Sequence, residues 1–138
     1  MRDQIYYLYT DGGARGNPGP AAIGGVITSK AGKIYNTFSL AIDKTTNNQA
    51  EYRALIHGLE LAKKNGYLSL RCYLDSELLV NQLNYKYKVK DRHLAQLFAK
   101  VYTLKNSFTS LSFVQIPRER NKHADTLVNQ ALDSKRDR

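Results

Sequence analysis

Tryptophan is absent from this chain and cysteine occurs once, as Cys72. One thiol excludes an internal disulfide, so the fold must rest on its own core. Cys72 lies in an apolar strand pattern, which makes it a core residue rather than a nucleophile. The Met-Arg-Asp-Gln start has no apolar signal core, and no apolar run is long enough to span a bilayer. A cytoplasmic protein with no membrane partner is the expectation. Interdomain linkers, internal repeats and low-complexity tracts are also missing. The 138 residues therefore read as one domain over 1–138, long enough to bury a core unaided. A free-standing monomer is expected.

Acidic residues are scarce, 12 against 21 Lys and Arg, for a formal charge of +9. The excess is uneven: from Lys86 onward there are 12 basic and 5 acidic residues. A concentrated basic field suits a polyanion, nucleic acid above all.

Residues 5–10 are rich in β-formers and read as a strand buried on both faces, ending at Asp11. It runs into the breaker-dense loop Asp11–Pro20. Residues 23–29 and 33–40 read as two more strands joined across Lys30-Ala31-Gly32. Asn47 or Asn48 can cap a helix reaching about Asn65, with Gly66 just past its end. Leu55, Leu59 and Ala62 form its apolar stripe, and Glu51 shares that inward side. Residues 68–74 form a fourth strand ending at Asp75. Ser76 can cap a short helix through Leu83, a second helix covers 91–106, and 111–116 form a fifth strand. The polar loop Pro117–Lys122 leads into a last helix on which Asp125, Val128 and Leu132 share a face. The order βββαβααβα predicts an α/β fold: a five-stranded mixed sheet, three antiparallel strands then two parallel, with helices on both faces.

Against this basic background the acids Asp11, Glu51, Asp75 and Asp125 take up conspicuous positions. Asp11 and Asp75 end strands that should be parallel neighbours, so both emerge at the sheet edge where ligands bind in open α/β sheets. Glu51 and Asp125 come from helices that can pack over the same edge. Singly, each has a structural reading, as a turn residue, a helix cap or a first-turn acid. Together they repel one another unless cations neutralise them. An all-carboxylate set favours Mg²⁺ or Mn²⁺ over Zn²⁺. Two such ions roughly 4 Å apart activate water and stabilise the leaving oxygen of a phosphodiester.

The segments Tyr9-Thr10-Asp11-Gly12-Gly13-Ala14-Arg15-Gly16-Asn17-Pro18-Gly19-Pro20, Thr45-Thr46-Asn47-Asn48-Gln49-Ala50-Glu51, Leu74-Asp75-Ser76 and Asn121-Lys122-His123-Ala124-Asp125 resemble type 1 ribonuclease H in order and spacing. The resemblance covers nearly the whole chain. It implies hydrolysis of the RNA strand of an RNA–DNA hybrid with two Mg²⁺ or Mn²⁺ ions, leaving a 5′-phosphate and a 3′-hydroxyl. It implies that Asp11, Glu51, Asp75 and Asp125 bind metal, and that Glu51 also contacts a ribose 2′-hydroxyl. Gly12 and Asn17 match positions that touch the hybrid. Asn47, Asn48 and Gln49 match minor-groove and 2′-hydroxyl readers, and Thr46 a position that helps hold a DNA-strand phosphate.

Two departures from the family pattern stand out. The loop before the last acid, Pro117-Arg118-Glu119-Arg120-Asn121, lacks the histidine many members carry, and His123 is already helical and should point elsewhere. Arg118 is the candidate substitute, able to stabilise phosphate charge but not to act as a base; a purely electrostatic backbone contact is the alternative. The basic helical handle of many relatives is also missing. Lys86, Lys88 and Lys90 alternate and, in an extended segment, would point the same way to grip DNA-strand phosphates, with Tyr85 or Tyr87 stacking on a sugar or base; a solvated charge run is the alternative. Glu77 replaces an amide that contacts substrate in many relatives. Two other functions stay open: a broader nuclease that also cuts RNA duplexes or RNA–DNA junctions, and an inactive hybrid-binding module or part of a larger reverse-transcriptase assembly. The charged tail from Asp133 to Arg138 is expected to be disordered.

Overall fold

A computed structural model describes residues 4–136. Strands β1 (Ile5–Ala14), β2 (Gly19–Thr28) and β3 (Ile34–Thr45) form an antiparallel meander. Strands β4 (Ser69–Leu74) and β5 (Ser110–Gln115) add in parallel on the other side of β1, giving the order β3-β2-β1-β4-β5. The mixed five-stranded sheet is the one the sequence predicts. Both parallel steps pass through helices: α1 (Asn47–Lys64) joins β3 to β4, and α2 (Glu77–Leu83) with α3 (Arg92–Lys105) joins β4 to β5. A single 3₁₀ turn at Arg118–Arg120 leads into α4 (Lys122–Arg136).

The two faces of the sheet are covered unequally. On one, Leu8, Ile27, Leu70, Cys72 and Phe113 pack against Leu55 and Leu59 of α1, Leu79 and Leu83 of α2 and Val101 of α3. Each aliphatic side chain so buried contributes about 1.5–3 kcal/mol, which makes this layer the main core. On the other face α4 alone covers the sheet, with Ala22 against Val128, Ala131 and Leu132. β1 alternates accordingly: Leu8 and Thr10 are buried, whereas Tyr7 and Tyr9 are half-exposed and lie beside Tyr73. The expected burial of β1 on both faces is therefore corrected, because α4 stops short of its first half.

Several boundaries also differ from the sequence reading. β2 starts at Gly19 rather than residue 23, and β3 runs on to Thr45 rather than ending at residue 40, because the two strands stay paired as far as Gly19↔Thr45. β1 runs on through Asp11 to Ala14, since Gly12 and Gly13 keep their antiparallel pairing to Ile23 and Ala22. Its parallel pairing with β4 stops earlier, at Tyr9↔Tyr73, so Asp11 sits where β1 and β4 part rather than at a strand end. Thr46, not Asn47 or Asn48, caps α1, its hydroxyl accepting the Gln49 N–H at 3.2 Å. The tail is helical as far as Arg136, and Asp133 bonds to Arg15 at 2.6 Å; Asp137 and Arg138 lie outside the described residues. Ser76 caps α2 as expected; Asp91, read as the first residue of the next helix, instead caps α3, accepting the Leu94 N–H at 2.9 Å.

Candidate active site

The fork between β1 and β4 gathers the four acids. Asp11 leaves β1 and Asp75 follows the last residue of β4. α1 carries Glu51 one turn into the helix, and the first turn of α4 carries Asp125. All four line one cavity of about 350 Å³, together with Gly12, Gly13, Arg15, Asn47, Arg118 and Val128. The sheet and the two helices therefore bring together residues spread over most of the chain.

Their electrostatics follow from crowding. Burial, then the negative charges of Asp75, Glu51 and Asp125, push the Asp11 carboxyl up to about 8, and a hydrogen bond with Asp125 adds to this. Burial also raises Glu51 to about 7, opposed by a hydrogen bond from Ser76 and by the positive charge of Arg118, and aided by Asp75. Ser76 can serve both partners because its oxygen accepts the Leu79 N–H while its hydroxyl hydrogen is free to donate. At neutral pH the cluster thus retains protons that isolated carboxylates would have lost.

This donor set fits a hard divalent cation: it is all oxygen, and its surplus negative charge is met by protons and by the exposed Arg118. Among the described residues, no group of three or more His, Cys, Asp or Glu side chains is already arranged to hold one ion. The acids line an open pocket instead, as mutually repelling groups should.

The raised values carry a pH dependence. The folded protein binds more protons than the unfolded chain between about pH 4 and pH 8, so stability without divalent ions should fall as pH rises through that window. Thermal melts in EDTA between pH 5 and pH 8.5 should show the transition temperature declining toward alkaline pH, and magnesium should restore more stability at pH 8 than at pH 6. A magnesium effect that is equal at both pH values would contradict the coupling.

The other residues picked out by the sequence divide into those at the pocket and those away from it. An Arg118 guanidinium nitrogen lies 4.0 Å from Asp125 Oδ1 on an otherwise exposed side chain. His123 lines a separate small cavity with Tyr9, Val26, Thr28 and Arg120, away from the acids, as its helical position implied. Asn17 and Asn47 tie the β1–β2 loop to α1: Asn47 N–H donates to Asn17 Oδ1 at 3.0 Å, and Ala14 N–H donates to Asn47 Oδ1 at 2.8 Å. Backbone donors hold both amides by their oxygens, which leaves the NH₂ groups as the donors they can offer. Gln49 Oε1 accepts the Thr45 hydroxyl at 2.8 Å, and Asn48 is half-buried beside it. Gly12 is buried against α1.

The Lys86–Lys90 segment is not extended. Tyr85 takes a left-handed φ of 63°, and the Lys86 and Tyr87 N–H groups both bond to Asn81 O. Alternation in sequence therefore does not align the three lysines. Lys86 and Lys88 line one groove with Tyr85, Tyr87, Val89 and Phe98, and Lys90 is not on it. Tyr87 donates to Glu77 Oε1 at 3.3 Å, which gives that acid an internal partner.

Two further residues at the site, Ser76 and Asn121, stand in the matching family segments, but the sequence gives them no role beyond a cap and a place in the polar loop before the last helix. Their signal was present, since each adjoins a cluster acid or the turn leading to one, but their partners lie far away in the chain.

A family model described as reverse transcriptase-like matches residues 9–131. The chain is 41% identical over 128 residues to a bifunctional protein of Mycobacterium tuberculosis, covering 92% of this chain and 35% of that protein. It thus spans about a third of the length of that curated relative. It is 40% identical to ribonuclease HI of Halobacterium salinarum, covering 92% of this chain and 64% of that one. The crystal structure of RNase H1 from that archaeon superposes with a TM-score of 0.92 at 39% identity, covering 94% and 98% of the two chains. LC11-RNase H1 in complex with an RNA/DNA hybrid superposes at 0.90 with 47% identity, covering 94% and 97%.

Proposed function

The chain belongs to the ribonuclease H family, and from that premise we propose that it is an endoribonuclease hydrolysing the RNA strand of RNA–DNA hybrids. The observation that carries this reading is the convergence of Asp11, Glu51, Asp75 and Asp125 on one pocket of a chain with net charge +9. The hybrid bound to a structural neighbour of 47% identity supports the substrate class.

In this reading the four carboxylates hold two Mg²⁺ or Mn²⁺ ions. When bound, such ions lower the pKa of water and neutralise charge on a phosphodiester as it is displaced. The products are a 5′-phosphate and a 3′-hydroxyl. The protein's own part is placement. Asp11 and Asp75 are held by the sheet, Glu51 and Asp125 by rigid helices, and the Ser76 hydroxyl orients Glu51. Arg118 stands at the pocket as a fixed positive charge for the phosphate, not as a base. Glu51 contacts the 2′-hydroxyl beside the cleaved bond, the group that distinguishes RNA from DNA.

Hybrid binding falls to Gly12, Asn17, Thr46, Asn47, Asn48 and Gln49 on one side. With their oxygens engaged internally, Asn17 and Asn47 offer amide donors, which suit minor-groove acceptors and 2′-oxygens. Lys86 and Lys88 in their groove, with Lys90 nearby in sequence, supply charge for DNA-strand phosphates. The protein acts as a cytoplasmic monomer.

A labelled RNA–DNA hybrid incubated with Mg²⁺, Mn²⁺ or EDTA, beside all-RNA and all-DNA duplexes, tests the proposal. Metal-dependent cutting of the hybrid's RNA strand alone is the expected outcome. Cutting of RNA duplexes at equal rates would replace it with a broader nuclease, and binding without any cutting would replace it with a hybrid-binding module.

A further inference from the structure

Asn121 is 1% exposed and lies where β1, the end of β4, the 3₁₀ turn and α4 meet. Its side-chain Nδ2 donates to Thr10 O, the carbonyl just before Asp11, at 2.9 Å, and to Asp75 Oδ2 at 2.8 Å. Its backbone N–H donates to Arg118 O at 2.9 Å, and its backbone carbonyl accepts the Asp125 N–H at 3.1 Å. One residue thus contacts the strand bearing Asp11, the carboxylate of Asp75, the turn bearing Arg118 and the helix bearing Asp125.

The chemistry of these contacts is specific to an amide. Both acceptors are oxygens, so NH₂ must face them, and both its hydrogens are used. The opposite atom, Oδ1, is buried without a partner. A buried unsatisfied acceptor is unfavourable, and its presence indicates that the donor side of the amide is what the site requires. A plain packing residue would have avoided that penalty with an apolar side chain.

We propose that Asn121 is a positioning residue for the acidic site: by holding Asp75 Oδ2 against β1 it leaves Oδ1 as the oxygen turned over to a divalent cation. The inference rests on the metal-dependent reading above and assigns Asn121 no contact with substrate. It predicts that the residue acts on cation affinity and turnover, not on hybrid affinity. Hydrogen-bonded partners of ligating carboxylates behave in this way, and their loss costs about 10–100-fold in metal affinity or activity.

The test compares wild type with Asn121→Ala in three measurements: Mn²⁺ binding to the free protein by calorimetry, kcat and KM on the hybrid, and the thermal transition. Asn121→Ala should bind Mn²⁺ about tenfold more weakly and lose about 10–100-fold in kcat, while the hybrid KM stays near the wild-type value. Asn121→Ser keeps a small polar side chain that cannot hold Asp75 as the amide does, and serves if the alanine variant does not fold; it too should bind Mn²⁺ more weakly. Unchanged Mn²⁺ affinity in a folded variant overturns the proposal, even if activity falls with stability. If wild type cuts no hybrid, the nuclease reading fails by itself, and the Mn²⁺ titration still decides the role of Asn121.

Discussion

Asp11→Asn is expected to lower hybrid cleavage by at least about a thousandfold and, in the same protein, to raise stability in the absence of divalent ions. Asparagine has nearly the shape of aspartate but cannot carry the negative charge that neutralises a cation. Asp11 meets the densest repulsion in the cluster, from Asp75, Glu51 and Asp125, and its carboxyl is pushed up to about 8 by burial and by those charges. Removing its charge relieves all three neighbours, and the new amide can donate to Asp125. A tenfold change in proton affinity on folding corresponds to roughly 1.4 kcal/mol, but Asp11 is only partly buried. Solvent screening reduces the expected gain to about 1–2 kcal/mol at pH 8. Cleavage rates and urea melts in EDTA at pH 6 and pH 8 read both effects. A variant that cleaves near the wild-type rate removes Asp11 from the site. One that is destabilised equally at both pH values shows that carboxylate repulsion does not limit stability there.

Gly12→Ala should destabilise the protein by about 3 kcal/mol or more, at the upper end of overpacking effects. A Cβ at Gly12 would lie 2.2 Å from Ala50 O, 2.3 Å from Ala50 C and 2.6 Å from Glu51 N. All three are backbone atoms of α1, which cannot rotate away as a side chain would. Relief requires moving β1 from α1, which separates Asp11 from Glu51, so the folded fraction should also cleave poorly. Gly13→Ala is the matched control. Its Cβ would meet Val128 Cγ1 at 3.7 Å and Asn47 Oδ1 at 4.0 Å, ordinary contacts, and should cost less than about 1 kcal/mol. Equal urea midpoints for the two variants would show that β1 and α1 have room to separate.

Gly12 also shows the limit of reading function from residue type. In the sequence it matches a family position that touches the hybrid. In the structure its missing side chain is required first by α1, so contact with substrate is not needed to explain it. Asn17 and Asn47 shift in the same direction: residues expected to read a nucleic acid also hold the β1–β2 loop to the helix, with their oxygens already engaged.

The sequence by itself determined the order of elements, the mixed sheet, the burial of Cys72, the cap at Ser76, and which four acids share one pocket. These depend on period, propensity and breaker residues, which act between near neighbours in the chain. Only the tertiary structure decided that Thr46 outcompetes Asn47 as a cap, because Asn47 Oδ1 is drawn to Ala14 across 33 residues. It alone bent the lysine segment, through bonds to Asn81 and a left-handed Tyr85. It also joined Asn121 to Thr10, 111 residues apart. A hydrogen bond of that kind depends on strand register and helix packing together. Local pattern places a polar residue near the right edge of the sheet, but only the closed fold sets which oxygen its amide can reach.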